Sequence, residues 1–121
     1  MSTSDHLHAR LCDGIEHVQR RPELWIEAAP FLGALRLEWA WLTFESGRAD
    51  AAWHVLKALR PGCFPFFERN TSALYLHTLA AAIAPKESER THHAACREEA
   101  AATLNYPWLE TRLQNRIEAC A

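Results

Sequence analysis

PFLGALRLEWAWLTFESGRADAAWHVLKALRP, residues 30–61, carries two helical patterns with a turn between them. In its first arm, Phe31 to Ser46, Phe31, Leu35, Trp39 and Leu42 recur at helical spacing along one stripe. Leu37, Trp41 and Phe44 make a second stripe on the opposite side, with Ala34 and Ala40 beside it. Arg36 with Thr43, and Glu38 with Glu45, fall into the seams. A helix apolar on two sides must be covered on both, so this arm reads as a central helix between neighbours. Pro30 suits a first helical turn, where its missing N–H costs nothing. Gly47 fits the left-handed position that ends a helix.

The second arm places Asp50 in its first turn, where a negative charge complements the helix dipole. Ala52, Val55, Leu56 and Leu59 form its single stripe, and Pro61-Gly62 stops it. A short turn between two arms makes them antiparallel neighbours. That hairpin predicts an all-α fold.

The rest of the chain repeats the pattern. Residues 4 to 20 read as a first helix, capped by Thr3 or Ser4, with Leu7, Leu11, Ile15 and Val18 in one stripe. Pro22 opens a short second helix, PELWIEAA, and Pro30 starts the central arm afresh. After Pro61, Asn70, Thr71 or Ser72 caps a helix running to Ala84, which carries no charge from Leu74 onward and is expected to be mostly buried. Residues 87 to 104 form an Ala-rich helix with a weak burial drive. Asn105-Tyr106-Pro107 breaks it, and residues 107 to 120 form a last helix with Leu109, Leu113, Ile117 and Cys120 facing inward. The expected architecture is one all-helical domain over 1–121, a bundle of about five or six helices built on antiparallel hairpins.

Composition narrows the function classes. With 121 residues, 49% hydrophobic and 23% charged, the chain has the make-up of a globular domain. A net charge of −2, with dispersed Arg, argues against nucleic acid or an anionic membrane as partner. The N-terminal residues lack the charged start and apolar run of a secretory signal, and no stretch has the length of a membrane span. A cytoplasmic location is therefore expected, with Cys12, Cys63, Cys96 and Cys120 as free thiols. HExxH, GxSxG, GxGxxG and the phosphate loop are absent, so neither catalysis nor a cofactor is expected.

Leu42 to Pro61 resembles one tetratricopeptide repeat. The matching residues are Gly47 at the inter-helix turn, Asp50 after it, Ala52 at the small position where the helices touch, Leu56 and Leu59 in the second helix, and Pro61 as terminator. Trp39 and Ala40 stand where that family has a Leu-Gly pair. The resemblance implies a protein-binding scaffold. The family includes small bacterial chaperones for secretion-system subunits such as type III needle proteins, so an adaptor or chaperone in a bacterial secretion or regulatory system is the implied role.

Two groups of side chains are candidate sites. Phe64, Phe66 and Phe67 lie in a proline-marked segment that either tucks under a helix or forms an exposed aromatic patch. Trp53 and Trp108 sit at the edges of their stripes, and partly exposed Trp is favoured at binding hot spots. These five aromatics form the expected interface for another protein or a second copy of the chain. Trp25, Trp39 and Trp41 read as core. The second group is a histidine–cysteine spacing that occurs twice: His8 with Cys12, and His92 with Cys96. One helical turn puts an imidazole beside a thiol, as a zinc site shared by two helices needs. Buried thiols explain the same residues more simply. A metal-binding helical protein or small enzyme is the alternative function.

Overall fold

The computed structural model describes residues 9–10, 13–14, 16–17, 20–60, 63–64 and 68–120, with the backbone alone for 22–31. Five helices are present among the described residues: α1 (Pro22–Glu45), α2 (Ala49–Leu56), α3 (Arg69–Ile83), α4 (Glu87–Leu104) and α5 (Pro107–Ala119). The fold is all-α. Residues 9–10, 13–14 and 16–17 are helical too, as expected of the first helix. Its apolar stripe of Leu7, Leu11, Ile15 and Val18 lies outside the described residues. The chain divides into two compact units, residues 1–66 and 67–121.

In the first unit, the expected break at Pro30 does not occur. α1 runs unbroken for 24 residues from Pro22, which takes the first helical position. An interior proline removes one backbone donor and costs a helix about 3 kcal/mol. Strong helix formers on both sides, Ala28 and Ala29 before it and Leu32, Ala34 and Leu35 after it, sustain the helix across the gap. One of the two expected apolar sides is buried more deeply than the other: Leu37, Ala40 and Trp41 are buried with Ala34 and Phe44 half-buried beside them, whereas Leu35, Trp39 and Leu42 are all half-buried.

α1 ends as the sequence predicts. Gly47 adopts φ +84°, its N–H donates to the Phe44 carbonyl at 2.9 Å, and the Arg48 N–H donates to the Thr43 carbonyl at 3.1 Å. This reciprocal pair satisfies carbonyls that the last turn leaves open. α2 then packs back on α1 with Ala52 and Leu56 buried. It stops at Leu56, short of the expected Pro61, because Arg60 folds back and its Nη1 donates to the carbonyls of Lys57 and Leu59, each at 2.9 Å. Leu59 is buried beyond the helix end. The following segment closes on α1 at Gly33: a Cβ there would collide with the Cys63 carbonyl.

In the second unit, α3 begins at Arg69, so Asn70, Thr71 and Ser72 lie inside the helix instead of capping it; Ser72 is buried. Leu74, Thr78, Leu79 and Ala80 form its buried side. Pro85 ends it, and Arg90 secures the turn by donating from Nη1 to the Ala84 carbonyl at 2.7 Å. α4 packs along α3, with Ala100 and Ala101 buried. Asn105, at φ 53°, takes the left-handed cap of α4, a conformation Asn tolerates better than most residues. Pro107 opens α5, whose Leu109 and Leu113 are buried as α5 packs on α3. Cys120, expected inward, is exposed because the helix ends at Ala119, one residue before it.

Candidate functional site

Of the five expected interface aromatics, Phe66 and Phe67 lie outside the described residues. Trp53 on α2 and Phe64 are half-buried. Trp108 stands out: it is 62% exposed, and Tyr106, 50% exposed, lies beside it with ring centroids 6.2 Å apart. The pair forms because the break at Asn105 and the proline start of α5 throw both rings to the outside, while Leu109 takes the inward position. Tyr106 was not singled out by sequence, although its place immediately before Pro107 marks it as a helix-entry residue.

The same helix lines a crevice of about 320 Å³ between α3, α4 and α5. Its floor is Leu74 and Thr78 of α3, both buried. Arg97 and Glu98 of α4 form one wall, and the Arg97 guanidinium donates to Glu98 Oε1 at 3.1 Å. Glu110, Thr111, Gln114 and Asn115 of α5 form the other. Trp108 precedes Thr111 by three residues and Asn115 by seven, so helical geometry places all three on one face of α5. Trp108 thus stands one helical turn before Thr111 of the crevice wall, with Tyr106 at the N-cap of the same helix.

A second constellation sits on the α3–α4 hairpin. His77 Nδ1 and His93 Nδ1 are 2.9 Å apart, with ring centroids at 5.1 Å. The His92 ring is 5.2 Å from that of His93, and its Nε2 is 3.7 Å from Cys96 Sγ. Burial, reinforced by the neighbouring His93 and His92, lowers the His77 pKa to about 4. Burial also lowers His93, with His92 acting in the same direction and the Glu89 carboxylate opposing. The neighbours His92 and His93 differ in environment: His92 is exposed and His93 half-buried. His77 was missed because it reads as a polar interruption of an apolar run. The signal that finds it is hairpin symmetry, since His77 and His93 are equidistant from Pro85.

For metal chemistry, His92 and Cys96 do stand side by side, while His8 and Cys12 lie outside the described residues. Among the described residues, no group of three or more His, Cys, Asp or Glu side chains is arranged to hold a metal ion. Nor, among them, is any helix long and apolar enough to cross a membrane. Comparison with protein-family models, curated proteins and solved structures gives no match.

Proposed function

We propose that this chain is a helical protein-interaction module, an adaptor or chaperone that holds a segment of another protein against Tyr106 and Trp108. The observation that carries the proposal is the exposure of two adjacent large aromatics, 50% and 62%, on the outside of a packed helical unit. Leaving such rings in water forgoes their burial free energy, and Trp and Tyr are the residues that concentrate binding energy at interfaces. The crevice beside them adds polar groups that fix orientation. The tetratricopeptide-like stretch 42–61 supports the same class of function, and through it a role in a bacterial secretion or regulatory system.

The test is a photo-crosslinking residue at position 108, with Lys57, an exposed position on the other unit, as the control site. One discrete heteromeric product at 108, reproduced with the purified partner and weakened about tenfold or more by Tyr106→Ala, is expected for a hot-spot aromatic. Equal labelling at 108 and 57 would refute the reading.

The metal-binding alternative is favoured by one observation, the 3.7 Å approach of His92 Nε2 to Cys96 Sγ. Native mass spectrometry of protein purified without chelator decides it. Stoichiometric zinc that disappears in Cys96→Ser would place metal binding first.

A further inference from the structure

We infer that the crevice between α3, α4 and α5 receives an arginine side chain of the partner segment. This rests on the interaction reading above and names the chemistry the site selects.

The charges come first. Two carboxylates, Glu98 and Glu110, and one guanidinium, Arg97, line the crevice. Arg97 and Glu98 already satisfy each other at 3.1 Å. Glu110 on the opposite wall is left to set the sign of the site, which is short of one positive charge. An acidic segment would meet Glu110 with no uncommitted cation to receive it.

The shape distinguishes arginine from a bare ammonium. Leu74 and Thr78 line the crevice at its base, over which a long side chain can lay its methylene stem toward the polar wall. The volume of about 320 Å³ lies at the small end of ligand pockets and suits one extended side chain. The α5 wall offers a carboxylate at Glu110, a hydroxyl at Thr111 and amide oxygens at Gln114 and Asn115. Gln114 turns its Nε2 toward Glu118 Oε1 at 3.5 Å, which directs its own oxygen the other way. Several acceptors along one wall match the five fixed donors of a guanidinium better than three donors on a flexible ammonium. Trp108, on the same face of α5, adds a ring on which a guanidinium stacks.

The experiment is amide and indole NMR of the intact chain with two capped tripeptides, glycine-arginine-glycine and its citrulline counterpart. Citrulline keeps the length and planar shape but is uncharged and carries a carbonyl oxygen, an acceptor, where arginine has an NH2 donor. At millimolar concentration the arginine peptide is expected to give saturable shifts at the Trp108 indole and at the Gln114 and Asn115 side-chain amides. Citrulline in its place, or Glu110→Gln in the protein, should weaken binding about tenfold. Equal shifts with both peptides, stronger binding of a glutamate tripeptide, shifts confined to other residues, or no shift at all would each overturn the inference. Failure here with a cross-linked partner at position 108 sinks the arginine pocket alone. Arginine-specific shifts without any cross-linked partner sink the interaction reading and leave a site for a small guanidinium ligand.

Discussion

His77 Nδ1 lies 2.9 Å from His93 Nδ1, so one proton serves two rings on facing helices. With both rings neutral, one Nδ1–H donates to the other's lone pair. A singly charged pair keeps that bond. A doubly charged pair must set two N–H groups against each other next to His92, a repulsion that the Glu89 carboxylate offsets in part. Burial sets the hairpin against either proton, and the facing N–H groups set it against the second more strongly.

Its pH dependence follows with a definite sign. His77 is lowered from 6.5 to about 4, so the unfolded chain takes up this proton at a higher pH than the folded one. The stabilising contribution is complete above pH 6.5, declines as pH falls toward 4, and is gone below that. Full conversion would be about 3 kcal/mol; partial solvent access reduces it to roughly 1–2 kcal/mol. Urea unfolding between pH 7.5 and 4 should show this loss, and His77→Gln should flatten the curve. A His77 ring titration by NMR with its midpoint near 6.5 would refute the account.

Gly33→Ala is expected to destabilise, although alanine is the better helix former by about 1 kcal/mol. The new methyl would overlap the backbone carbonyl of Cys63, which cannot rotate away as a side-chain tip would. Displacing that segment costs about 1–3 kcal/mol, more than the propensity gain. Gly14→Ala is the matched control: it is helical and exposed, with nothing among the described residues within 4 Å of the added carbon. Chemical denaturation should show a gain of about 0.5–1 kcal/mol at Gly14 and a net loss at Gly33.

Those two glycines mark the limit of what the sequence discloses. Helical periodicity and turn chemistry are local, and they locate the Gly47 turn, the Pro85 turn, the span of α4 and the inward Leu109 and Leu113. Gly33 looks the same as Gly14 on such a reading, because its role is set by Cys63 thirty residues away. By its local rule Pro30 reads as a helix start, yet the helix propensity of the residues on either side carries α1 through it. Spacing puts Leu59 on the stripe of α2, and it is buried just past the helix end, where Arg60 takes over the carbonyls. The crevice is harder still, since it needs the separation and rotation of three helices. Only its α5 wall has a sequence signature, the spacing that joins Trp108 to Thr111 and Asn115.

Thr43→Val should be neutral or stabilising. By spacing Thr43 falls in a seam between the apolar stripes, but it is 2% exposed and, among the described residues, its Oγ1 has no hydrogen-bond partner. An unsatisfied buried hydroxyl costs about 1–3 kcal/mol, and valine fills the same volume without it. Thermal melting of the variant should stay level or rise by a few degrees. A clear drop would mean that the hydroxyl is satisfied in solution.

The tryptophans should separate into two energetic classes. Trp41 is 0% exposed, with the Phe44 ring set edge-on at 6.5 Å and 88°. Truncation to alanine leaves a large cavity on the more deeply buried side of α1 and should cost about 3–5 kcal/mol, a large fraction of the stability of a small domain. Trp108 is 62% exposed, and its removal leaves no cavity, so Trp108→Ala should alter stability by no more than about 0.5 kcal/mol. Urea midpoints of the two variants measure the difference directly. The contrast also bears on function, because a ring that contributes nothing to folding but weakens partner capture when removed is held at the surface for binding. If Trp108→Ala proves as destabilising as Trp41→Ala, the ring belongs to the core in solution and the aromatic interface falls with it.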